Sequence, residues 1–165
     1  MKEHFLSLAN YNAWSNECLY EAVEHLPLGA WQRPSEAAFF SSLRGTLNHI
    51  LLADRAWMDR LEGHPPRFTS LDEILHEDFD SLRADRKLED RRLLSHCDSL
   101  KENALLDDIE YRTVGGQQMV TRHDRILTHL FNHQTHHRGQ AHALILEAGA
   151  EPPPLDYIYY LRSLG

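Results

Sequence analysis

The sequence predicts an all-α fold, a four-helix bundle with a short β-hairpin before the last long helix. Apolar residues recur at helical spacing along four long stretches. Proline- or glycine-bearing stops separate those stretches. One short segment, residues 109–121, instead alternates in polarity around Gly115-Gly116.

The first helix is expected from about Lys2 to His25. Leu19, Ala22, Val23 and Leu26 stand at i, i+3, i+4 and i+7, and Pro27 and Gly29 end the run. Residues 27–41 then form a connection carrying Pro34, Ser35 and Ser41. The second helix is expected from about Leu43 to Glu62. Its stripe is Leu43, Leu47, Ile50, Leu51, Trp57, Met58 and Leu61, and Gly63-His64-Pro65-Pro66 stops it. A third helix is expected over about Leu71 to Leu106, with a break near its start. Its mixed charges, among them Arg83, Asp85, Arg86, Glu89 and Asp90, read as a solvated face with local ion pairs. Residues 109–121 read as a hairpin. Thr121, three residues before Asp124, reads as the N-cap of a fourth helix over about Arg122 to Glu147, which stops at Gly149. After Pro152-Pro153-Pro154, an aromatic tail from Tyr157 to Leu161 could fold back on the bundle. Four long helices with short to medium connections make a bundle.

With 165 residues the chain has the size of one domain with a real core. Lys+Arg 17 against Asp+Glu 25 gives a net charge of −8. That balance argues against a nucleic-acid partner or an anionic membrane, which call for a basic patch. Cys18 and Cys97 form no CxxC pair, which fits a reducing compartment. Each reads as a small core residue. No signal core or membrane-length apolar run stands in the sequence, so a cytoplasmic location is expected. Trp14 and Trp57 read as core anchors.

The chemistry concentrates in His129-Leu-Phe-Asn-His133-Gln-Thr-His136-His137-Arg-Gly-Gln140, which puts four histidines into nine positions. Ile126, Leu130, His133, His137 and Leu144 follow one inward seam. His133 and His137 are spaced i,i+4, which stacks their rings roughly 40° apart on one face. Two imidazoles at such positions are either hydrogen-bonded core residues or half of a transition-metal site. His129 and His136 are rotated toward the polar flank. The spacing matches H-E-x-x-H, but position 134 is Gln and cannot serve as a zincin base. A third ligand must come from another helix. His64, His76 and His96 read as surface residues. His49 ranks first, because it lies off the main stripe beside Thr46, Leu52, Ala53 and Ala56, which suggests a second buried face. Asp54, five residues further on, does not share that face. Gln140 reads as a polar edge residue or a neighbour of the site.

Several motifs together resemble the DinB/YfiT-like superfamily over nearly the whole chain. They are Tyr11-Asn12-Ala13-Trp14, then Leu47-Asn48-His49-Ile50-Leu51-Leu52-Ala53-Asp54 followed by Trp57, and the Gly-Gly hairpin. His129-x-x-Asn132-His133-x-x-x-His137-Arg138-Gly139-Gln140 and Pro153-Pro154-x-Asp156-Tyr157 complete the set. The resemblance implies a bundle of unusual connectivity, often a homodimer. It also implies a divalent metal, nickel, zinc or iron, on His49, His133 and His137. His136 is not a ligand in that pattern. Relatives that use a low-molecular-weight thiol point to metal-assisted thiol transfer or thiol-dependent isomerisation of a small-molecule substrate. A metal-dependent hydrolase, or a non-enzymatic stress-related metal-binding protein, are the other readings. The sequence identifies no general base.

Overall fold

The computed structural model describes residues 1–165. Five α-helices and one hairpin make up the chain: α1 (Lys2–Glu24), α2 (Leu43–Leu61), α3 (Phe79–Ser99), β1 (Asp108–Arg112), β2 (Gln118–Arg122), α4 (His123–Glu147) and α5 (Tyr157–Ser163). The expected all-α bundle with its hairpin is observed. α1 packs on α3 and α4, and α2 packs on α3 and α4. Sequence neighbours α1 and α2 therefore lie across the bundle's diagonal, joined by the long connection through residues 25–42.

Caps decide where α2 and α3 begin. Ser42 Oγ accepts the Gly45 N–H at 3.1 Å, and an Asp78 carboxylate oxygen accepts the Ser81 N–H at 2.9 Å. The third helix thus starts at Phe79, not Leu71. Residues 71–78 are held out of helix by α2 itself: Asn48 donates to the His76 carbonyl at 3.1 Å and accepts the His76 N–H at 2.9 Å. Glu73 Oε1 also accepts the N–H groups of Thr69 and Ser70, which favours a turn there. At its other end α3 stops at Ser99, and Glu102–Leu106 forms a separate 3-10 turn.

The hairpin pairs Ile109 with Thr121 and Tyr111 with Met119. Thr121 lies in β2 and does not cap α4. Arg122 occupies the cap position without a side-chain bond, and its guanidinium pairs with Asp124 at 2.7 Å. The tail does fold back. Tyr11 Oη donates to the Leu155 carbonyl at 2.6 Å, and Tyr160 packs on Tyr11 and Trp14.

The core has two apolar clusters, one around Leu19, Leu47, Leu82 and Ile145, the other around Phe5, Met58, Leu93 and Leu127. Between them lies a buried polar layer contributed by all four long helices. Arg86 bridges Asp54 at 2.7 Å and Asp90 at 3.0 Å. Asn16 donates to Asp90 at 2.9 Å, Gln134 donates to Asp54, and Arg138 donates to Asn12 and Gln134. Two carboxylates and two guanidinium groups balance, as buried charges must. Burial pushes the Asp54 carboxyl up to about 7, against the pull of Arg86. Arg86 and Asp90 are thus interior groups, not part of a solvated face.

Candidate metal centre

α2 carries His49 and α4 carries His133 and His137, and the packing of α2 on α4 brings the three rings together. His49 Nε2 lies 3.2 Å from His133 Nε2. One nitrogen from each of the three rings falls within 4.8 Å of the others. The ring centroids are 4.3 to 5.1 Å apart. His49 and His137 are buried and His133 is half-buried.

Two of the three far nitrogens are committed. His49 Nδ1–H donates to the Leu71 carbonyl at 2.7 Å. His137 Nδ1–H donates to Gln140 Oε1 at 2.7 Å, and the Gln140 amide nitrogen faces His136 Nε2 at 3.3 Å. Both bonds select the tautomer whose Nε2 is a lone pair. The rings are also kept neutral. Burial and the neighbouring imidazoles push His133 down to about 3. Burial takes His137 to about 4, and it lowers His49 against the opposing pull of the Leu71 carbonyl.

This donor set fits a divalent transition metal. Nitrogens bound tetrahedrally at 2.0–2.1 Å stand about 3.3 Å apart, close to the 3.2 Å between His49 and His133. The widest separation, up to 4.8 Å, would have to close. A proton between His49 and His133 would satisfy that facing pair but leave the Nε2 lone pair of His137 without a partner.

The connection before α2 covers the cluster. Phe40 stacks on His49, with centroids 3.8 Å apart and planes 17° apart, and presents its edge to His137. Ser41 takes a left-handed φ of 66°, which turns the chain sharply between Phe40 and its cap residue. Gly45 makes the close approach possible. A Cβ there would stand 1.9 Å from the Phe40 carbonyl oxygen.

His49 and His133 also form one wall of a cavity of about 500 Å³. Trp57, Arg60, Tyr111 and His129 line the rest, with the hairpin turn at residues 113–115.

The DinB family model matches residues 1–164. The chain belongs to the DinB family. A curated relative, Protein DinB of Bacillus subtilis (strain 168), is 25% identical over 168 residues, covering 98% of this chain and 95% of the relative. The family resemblance read from the motifs is thereby confirmed.

The three residues singled out from the sequence of this DinB family member converge on one point. The remaining histidines do not join them. His76 pairs with Asp85 at 2.6 Å, His64 is exposed, and His136 touches only the rim. His96 is not a simple surface residue, because its Nε2 meets His123 Nε2 at 3.0 Å between α3 and α4. Trp57 packs against the second apolar cluster and also walls the cavity, and Trp31 lies in the first cluster. Asp54 lies in the polar layer, away from the site, and Gln134 faces that same layer. The deepest face of α4 runs through Leu127, Leu130, Gln134, Ala141 and Ile145, so His133 sits on its edge, toward α2. Sequence reading missed Phe40, Arg60, Tyr111 and the Leu71 carbonyl. Only Gly45, just after a Ser-Ser pair at a helix start, offered a signal for the Phe40 contact. No helix is long and apolar enough to cross a membrane.

Proposed function

We propose that this protein holds one divalent transition metal through His49, His133 and His137 and activates a small-molecule nucleophile in the adjoining cavity. The family resemblance favours a low-molecular-weight thiol, in S-transfer to an electrophile or in thiol-dependent isomerisation. The observation that carries the reading is the meeting of three neutral imidazoles, two of which, His49 and His133, form a wall of a cavity of about 500 Å³. Three protein donors leave room for a reactant, the pattern of a reactive site rather than a structural one. All-imidazole ligation suits nickel, zinc and iron alike.

When bound, such a metal supplies a Lewis acid that lowers the pKa of a thiol or water reaching its open position. The chain's own residues orient and shield. The Leu71 carbonyl and Gln140 fix two ring tautomers. Phe40 closes one side of the cluster, and Trp57 and Tyr111 replace water with aromatic surface along the cavity. His129, whose pKa burial and Arg60 lower, offers a neutral ring nitrogen in the cavity wall to accept the thiol proton.

Elemental analysis of untagged protein tests the ligand set. Alanine at His49, His133 or His137 should abolish stoichiometric metal, whereas His136→Ala and His129→Ala should retain it. Full metal retention in His133→Ala would overturn the assignment. Free-thiol consumption with a panel of electrophiles, present in the loaded protein and absent from His133→Ala, is the expected activity.

A further inference from the structure

We propose that Arg60 is an anion subsite of the cavity and that the small molecule taken there carries a carboxylate. The inference rests on the proposed function and deepens it by naming the substrate class. Arg60 follows His49 by eleven residues on α2, which returns it to within roughly 20° of the same helix face. Both residues line one cavity.

What distinguishes Arg60 is that no carboxylate stands at ion-pair distance from it; Asp59 acts on it only from further away. The carboxylates beside it in sequence are already engaged. Asp59 accepts from Arg67 at 2.7 Å and from Arg92 at 2.9 Å, and Glu62 accepts from Arg92 at 2.6 Å. The cavity lining contains no Asp or Glu. Arg60 lies instead over aromatic faces, 4.3 Å from the Trp57 ring centroid and 5.1 Å from that of Tyr111. Those rings orient the guanidinium plane while leaving N–H groups for a ligand. Most other arginines that approach the bundle interior, Arg55, Arg83, Arg86 and Arg92 among them, are paired with carboxylates. In a chain of net charge −8, an unpaired, half-buried cation beside a candidate reactive centre is an unusual placement. One guanidinium matches the single charge and two oxygens of a carboxylate.

Calorimetric titration of the purified, untagged protein with benzoate and with benzamide, its neutral isostere, tests this. Wild type should bind benzoate about tenfold tighter or more, the scale of a charge-assisted bond. Arg60→Gln should lose that preference while metal per chain and melting temperature stay at wild-type values. A wild type without the preference, or an Arg60→Gln protein that keeps it, overturns the inference. Metal content is measured on the same samples, so failure of the metal reading shows separately.

Discussion

Replacing Gln140 with leucine removes the acceptor that holds His137. Gln140 Oε1 takes the Nδ1–H at 2.7 Å. Without it the imidazole can rotate or change tautomer, and its Nε2 becomes a weaker donor. Loss of such an outer partner weakens metal binding by about 10–100-fold, or about 1.4–2.7 kcal/mol. The metal-free fold should lose only about 0.5–1.5 kcal/mol, the worth of one ordinary hydrogen bond. Competition against a chromophoric chelator measures the affinity. Gln140→Glu should bind metal at least as tightly as wild type, because a carboxylate accepts the Nδ1–H more strongly. His136→Ala, which removes a ring packed edge-on against His137 and facing the far end of the Gln140 amide but no acceptor of the His137 Nδ1–H, should stay within about twofold, well below that range. The gap in melting temperature between loaded and stripped protein should narrow in Gln140→Leu alone. An affinity for Gln140→Leu within about twofold of wild type would refute the assigned role of this bond.

Other perturbations probe the scaffold. Gly45→Ala places a Cβ 1.9 Å from the Phe40 carbonyl, against ordinary contact from 3.4 Å, so the connection must retreat and Phe40 must leave His49. The expected result is about 1–3 kcal/mol of destabilisation with shifted His49 ring resonances; unchanged resonances and an unchanged melt would contradict the close approach. Arg86→Met strands Asp54 and Asp90 without their shared cation and should cost about 3–5 kcal/mol, read by denaturant titration. Adding Asp54→Asn and Asp90→Asn should recover part of that loss, and a single variant as stable as wild type would count against the polar layer. The His96–His123 pair sets a pH dependence. Burial lowers both, His96 to about 4 from 6.5. The unfolded chain therefore binds more protons as pH falls from about 6.5 toward 4, and stability present above that window is lost across it. His96 is part-exposed, so its share is discounted to about 1–2 kcal/mol. His96→Gln should lose less stability between pH 7 and 5, and parallel stability curves for the two proteins would argue against this origin.

Much of the architecture was legible because helix formation is local. Spacing along 43–61 and 123–147, with stops at Gly63-His64-Pro65-Pro66 and Gly149, located α2 and α4 within a few residues. Alternation around Gly115-Gly116 located the hairpin. The boundaries that failed depended on distant partners. Residues 71–78 leave the helix because Asn48, 28 residues earlier, binds His76 through its side chain. The charges of α3 look like a solvated face until α1, α2 and α4 supply Asn16, Asp54 and Arg138 around Arg86 and Asp90.

The site divides along the same line. The sequence by itself determined the two-histidine half on α4, because i,i+4 spacing puts two rings on one face of any helix. It also ranked His49, through the small and apolar residues that share its side of α2. Only the tertiary structure decided that these rings, 84 positions apart in the chain, meet at 3.2 Å. It decided as well which nitrogens remain free, since Leu71 and Gln140 take the others. The placement of Arg60 beside that cluster, with no carboxylate at ion-pair distance, is likewise a property of the packed molecule. Helix periodicity says which face a residue occupies, but packing alone says what stands opposite it.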